Sequence, residues 1–454
     1  MFSALFTEVI NLAFVGHLNS ESMLAGVGLA NMFLNITTVS VMMGLNQALN
    51  TLVAQSYGME DYYMCGVFFN RARILVSIVM MPLAIILYNT ETIFGLMGFD
   101  YEASHQAQLY IYLMIPAVYI LGLCDANRRL LSCMGYQNIP MAIQLISTFL
   151  HIFWCWLLTD KMGMGIKGPG LANIITNLVN LVAVHIYTKR FTDTKVSKEA
   201  YIMPTRECFD LVGLLEYMKL GLPSIGMVCM EWSSFEIMTI YSAYIGVTAT
   251  ATQIVILNTE IITFMATMGL QYAAQTLISN QLGAQQVNTA MRSRKFIKLV
   301  GYMTGLTMGL FIFFFRNFIA EFYTSLDEVQ QEADYLFKYL AFFHIIDSSQ
   351  GINQGLIRGL GKYNLLTYSA LIGYFVISLP MEYIFGFALN LGLIGLWIGQ
   401  TVGITCHLLC TEYLLFCHYD WHQVARDIKE SHDKEVERIE MVKQGRKKGE
   451  IQLA

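Results

Sequence analysis

Glu231 and Glu236 stand in the stretch CMEWSSFEIMT, residues 229–239, inside an apolar run with no Lys or Arg between them. An ionisable group at the centre of a bilayer costs about 2.5 kcal/mol or more, so it normally faces a cavity or a partner. Five residues apart, the two acids are separated by about 140° around a helix and do not share one narrow face. Asp347 lies midway along the run 333–360. Arg358, eleven residues on, is roughly 16 Å away along the helix, and Lys219 is about 18 Å from Glu231. Glu260 and Glu8 are likewise mid-run without a local cation. Position alone leaves each of these acids open to a functional or a structural role.

Other polar groups have plainer readings. Asp125 precedes Arg128 and Arg129 by three and four residues, which suits ion pairs on one helix. Glu382 follows Pro380 near the outer end of its run, where a long side chain snorkels to the interface. His344, one turn before Asp347, either tunes that acid or fills space. Cys406, His407 and Cys410 have no fourth ligand nearby, so packing within a helix is preferred to a metal site. The nine cysteines contain no CxxC pair and read as reduced thiols. No HExxH pair or other convergent set of nucleophile, base and metal ligand appears, so neither an enzyme nor a bound cofactor is expected.

The elements that must hold these groups are membrane helices. The chain has 454 residues, 55% hydrophobic and 13% charged, too apolar for an ordinary soluble protein of this length. A span needs about 20 apolar residues. Twelve such runs lie near 1–17, 25–55, 67–88, 105–133, 139–160, 168–188, 211–245, 249–280, 295–318, 333–360, 364–388 and 393–417. They do not alternate polar and apolar residues, which excludes a barrel. The first run is short and lacks the basic n-region and cleavage site of a signal peptide, and is read as a truncated first helix. Of the 28 Lys and Arg, Lys161, Lys167, Arg316 and Lys338 fall on one side and the others opposite. The positive-inside rule therefore predicts cytosolic termini.

GLNQALNTLVAQSYG at 44–58 aligns without gaps on GLQYAAQTLISNQLG at 269–283, and GYQN at 135–138 matches GKYN at 361–364 at nearly the same offset. A constant offset is the mark of an internal repeat. The expected organisation is an N-terminal six-helix lobe over 1–188, a cytosolic linker over 189–210, a C-terminal six-helix lobe over 211–418 and a charged, solvated tail over 419–454. The two bundles should be related by an axis along the membrane normal, with a cavity between them.

In that setting FVGHLNSESMLAGVGLANMFLNIT (14–37), NTLVAQSYG, GLPSIGMVCMEWSSFE (221–236), NQLGAQ and DSSQGINQGLIRGLG make the chain resemble the MATE family, the multidrug and toxic compound extrusion transporters, in its eukaryotic branch. The resemblance runs from about residue 5 to 418. It implies that Glu231 is the cation-coupling glutamate of the seventh helix, that Asp347 is the acid facing it from the tenth, and that Trp232 and Glu236 complete a Glu-Trp-x-x-aromatic-Glu pattern. Three positions depart from relatives: Asn50 stands for a common Asp, Asn258 for an eighth-helix Glu of some animal members, and Asn11 for the first-helix Asp of bacterial ones. The loss of an acid at Asn11 moves the expected coupling site to the C-terminal half. Glu260, about 200° from Asn258, is no simple substitute for it.

The function expected is export of organic cations in exchange for protons by alternating access, with Glu231, Asp347, Glu236, Trp232, Glu260, Asn258 and Tyr374 as coupling or substrate residues. Desolvation favours the neutral form of a buried carboxyl group, which lets such a group trade a proton for a cation. Trp232 and Tyr374 add cation–π contacts. Sodium is the alternative coupling ion. A lipid-linked oligosaccharide flippase ranks below both, because a pyrophosphate headgroup wants basic residues where the mid-span charges are acidic. The expected setting is a monomer in the plasma membrane or a vacuolar or lysosomal membrane, without a nucleic-acid partner.

Overall fold

The computed structural model describes residues 2–18, 20–324 and 326–452, with side chains described from Phe6 to Gln444, and no strand occurs among them. Twelve helices cross the membrane: α1 Phe2–Gly16, α2 Glu21–Gly58, α3 Tyr62–Tyr88, α4 Tyr101–Cys133, α5 Asn138–Lys161, α6 Lys167–Phe191, α7 Leu211–Ile245, α8 Val247–Gly283, α9 Val287–Tyr323, α10 Asp327–Gly359, α11 Tyr363–Ala388 and α12 Gly392–His418. Ten of them are long and apolar enough to span by composition alone; α1 is short, and α10 carries too many polar residues for that test. A further long helix, α13, covers Trp421–Gln452. The chain divides into two compact units, residues 1–225 with 431–454, and residues 226–430.

Lipid tails are as apolar as leucine, so membrane helices associate through close packing at small residues. In the second unit α9 offers glycines four apart, and a Cβ added at Gly301, Gly305 or Gly309 would lie 2.5 to 2.8 Å from Ile352, Ser348 or Ala341 of α10. On α10, Gly355 and Gly359 do the same toward Gln271 and Ile278 of α8. Helix α10 is thereby clamped between α8 and α9, which fixes the polar groups it carries.

In the first unit Asp125 accepts from Arg129 Nε at 2.7 Å and from Arg128 Nη2 at 3.3 Å, the ion pairs its spacing implies. The tail differs from its expected solvated state: α13 packs. Trp421, Val424 and Ala425 join the core of the second unit. Within the first unit, Glu435 Oε1 accepts from the fully buried Arg71 Nη1 at 2.7 Å, and Ile439 joins the core. A run this charged hides its apolar residues from composition, and the acid that neutralises Arg71 is 364 residues away. Arg71 also donates to the Glu207 carbonyl at 3.1 Å, tying the linker to α3.

Gly213 makes room for that guanidinium, since a Cβ there would sit 2.3 Å from Arg71 Cζ. Gly213→Ala is expected to destabilise the purified protein by about 1–3 kcal/mol, the usual cost of overpacking. Gly226→Ala, whose added Cβ has nothing closer than 3.6 Å, should be neutral or stabilising. Thermal melting of the two variants in detergent checks the contrast.

Candidate functional site

One stripe of α10 carries His344, Asp347, Gln354 and Arg358, at spacings of three, seven and four that return to the same face of a helix. Because α8 lies against that face, Glu260 meets the stripe near its start. His344 Nδ1 lies 2.9 Å from Glu260 Oε1 and 3.1 Å from Oε2. Asp347 follows His344 by one turn on the same stripe. All three side chains are buried, with His344 at 0%, Glu260 at 3% and Asp347 at 4% exposure.

Further along the stripe Gln354 joins two charges. Its Nε2 donates to Glu231 Oε2 of α7 at 3.4 Å, and its Oε1 accepts from Arg358 Nη2 at 2.5 Å and from Gln271 Nε2 at 2.9 Å. Asp347 lies within electrostatic reach of both Glu260 and Glu231. Three carboxyl groups thus face one permanent cation, Arg358, and one conditional cation, His344. Full ionisation leaves the cluster net negative, so it is made whole by protons or by a bound cation.

The remaining expected site residues distribute unevenly. Tyr374 of α11 lies close to Glu231, Asp347 and Arg358, but it is fully buried, with its ring centroid 5.6 Å from that of His407, so neither ring face is open to a ligand in this conformation. Trp232 is half-buried against the core of the second unit. Glu236 is half-buried and has no described hydrogen bond or ion pair. Asn258 is exposed and joins none of the described contacts of the cluster. Glu8, in the first unit, is half-buried.

The MatE family model matches residues 1–157 and 223–384. The chain belongs to the MATE family. It is 30% identical over 429 residues to Protein DETOXIFICATION 16 of Arabidopsis thaliana, covering 92% of this chain and 85% of that one. It is 26% identical to Multidrug and toxin extrusion protein 1 of Danio rerio, over 92% and 70%. The crystal structure of the eukaryotic MATE transporter AtDTX14 superposes with a TM-score of 0.88 at 25% identity, over 95% of each chain. The chain is thus a eukaryotic-type MATE protein with twelve membrane-spanning helices.

In this MATE chain the first-helix position that departs from bacterial relatives is a neutral node. Asn11 Nδ2 donates to Tyr110 OH at 3.0 Å, and its Oδ1 lies 2.9 Å from His151 Nε2. His151 Nδ1 lies 2.9 Å from Thr176 Oγ1. Since Asn11 Nδ2 is committed to Tyr110, His151 must donate from Nε2, and Nδ1 accepts from Thr176, so the set is complete with a neutral imidazole. The sequence reading missed two participants in the C-terminal cluster, Gln354 and Arg358. Their spacing from Asp347 was visible; that Gln354 links Arg358 to Glu231 was not.

A double-mutant cycle tests the pairing of α8 with α10. Glu260→Leu and His344→Leu are expected to couple by about 1.5–3 kcal/mol, the range for a hydrogen bond to a charged group. Glu236→Leu and His344→Leu should be additive within about 0.5 kcal/mol. Unfolding in detergent supplies the free energies.

Proposed function

We propose that the protein is a secondary active antiporter that exports organic cations in exchange for protons. The observation that carries this reading is the charge inventory of the cluster: Glu231, Glu260 and Asp347 against Arg358 and His344, largely buried. A substrate cation is held when Glu231 and Asp347 are ionised, and protonation of the same groups abolishes the attraction that held it. Competition of the two positive species for one set of carboxyl groups is what makes the exchange obligatory, and alternating access keeps it from short-circuiting. The names of several relatives, multidrug and toxin extrusion proteins, support efflux of amphipathic molecules. The direction follows from both termini lying in the cytosol of a plasma, vacuolar or lysosomal membrane, with the proton gradient inward to the cytosol.

A flippase of lipid-linked oligosaccharides fits less well. Its pyrophosphate headgroup would meet three carboxyl groups, while Arg358 is already engaged by Gln354.

Reconstituted vesicles with an imposed pH gradient test the proposal. Uptake of a fluorescent organic cation should fall at least tenfold, about 1.4 kcal/mol, in Glu231→Gln and in Asp347→Asn. Unimpaired uptake by both variants contradicts the assignment, and transport driven by a sodium gradient at equal pH contradicts the coupling ion.

A further inference from the structure

Glu382 does not snorkel. Its side chain is 0% exposed within the second unit, and no Lys, Arg or His pairs with it among the described residues. The reason is its backbone. Gly399 and Gly403 of α12 present a bare face to α11, where a Cβ at Gly399 would lie 2.3 Å from the Glu382 nitrogen and one at Gly403 would lie 2.5 Å from Ser378 Cβ. Helix α11 winds as a π-helix on both sides of this point, over Leu371–Ser378 and Ile384–Ala388, around Pro380. Such segments are often found where a helix serves a function.

The hydrogen bonds around Glu382 count protons. Ser378 Oγ lies 2.9 Å from Glu382 Oε1 and is also in contact with Gln400 Oε1, which accepts from Ser234 Oγ at 3.1 Å as well. A serine hydroxyl has one hydrogen, so it donates to only one of its two oxygen neighbours. If it donates to Gln400, the close oxygen of Glu382 must bring its own hydrogen and donate to Ser378: the acid is protonated. With the Gln400 amide turned over, its NH2 donates to Ser378, and the serine hydroxyl donates to an ionised Glu382. Each orientation of one buried amide serves one protonation state. Two polar atoms lack partners here, Glu382 Oε2 and Gln400 Nε2, both on fully buried side chains.

We propose that Glu382, Ser378 and Gln400 form a second proton-binding site in the C-terminal half, with the Gln400 amide as the switch between the loaded and the empty state. Among the described residues, the site shares none of its hydrogen bonds with the Glu231, Glu260 and Asp347 cluster. The titratable group within electrostatic reach of it from a neighbouring element is Tyr241 on α7, which also lies within reach of Tyr383 on α11. A carboxyl group buried this way without a cation is stabilised as the acid, or as the ion only through a hydrogen bond made to it; in the empty state the serine hydroxyl makes that bond while the turned amide donates to the serine.

Infrared difference spectroscopy of the full-length protein in lipid, cycled between acid and alkaline buffer without substrate, tests the site. A protonated-carboxyl C=O band should be lost on alkalisation in the wild type and absent in Glu382→Gln. It should be shifted in frequency in Ser378→Ala, where its hydrogen-bond partner is gone, and retained in Asp347→Asn. A pH-difference spectrum of Glu382→Gln identical to that of the wild type overturns the proposal, as does a Ser378→Ala band of unchanged frequency. A band that responds to sodium at fixed pH also overturns it, by making the site one for an alkali cation. Because no substrate or gradient is used, failure of the antiporter reading leaves this test intact.

Discussion

Three carboxyl groups held in a membrane interior with a single permanent cation form a site that cannot be electrically satisfied by its own chain. Arg358 offsets one charge, and Gln354 spreads its influence to Glu231 by donating to the acid while accepting from the guanidinium. His344 holds Glu260, which in turn lies within electrostatic reach of Asp347. What is left over is a demand for protons or a cation, which is what the proposed exchange of an organic cation for protons uses.

The glycine faces make this tolerable. With Gly301, Gly305 and Gly309 against one side of α10 and Gly355 and Gly359 against α8, the helix backbones approach closely enough for short polar contacts to form without water between them. The same device recurs between α11 and α12, where Gly399 and Gly403 bring Ser378 and Glu382 into the packed interior. Small residues thus set where the buried acids lie. By contrast, the polar node around Asn11 in the first unit is complete as a neutral network and makes no comparable demand.

The helices, their number and the acidic character of α7, α8 and α10 were legible in the sequence because apolar runs and isolated acids are local signals. The ion pairs of Asp125 were legible for the same reason. What was not legible depends on residues far apart in the chain. Arg358 looked like one more basic residue at a helix end, since only the packing of α7 on α10 links it through Gln354 to Glu231. Glu382 looked like an interfacial side chain, because its burial comes from glycines seventeen and twenty-one positions later. The tail looked solvated, because the buried Arg71 that Glu435 neutralises lies near the other end of the chain.

Direct measurement of protons released on substrate binding tests the central claim that one set of carboxyl groups serves both species. Purified protein in weakly buffered detergent, with a pH indicator dye, is titrated with an organic cation. The account predicts proton release that saturates with binding in the wild type and is lost in Glu231→Gln and Asp347→Asn. Saturable binding of the cation without proton release, or release undiminished in both variants, would contradict it.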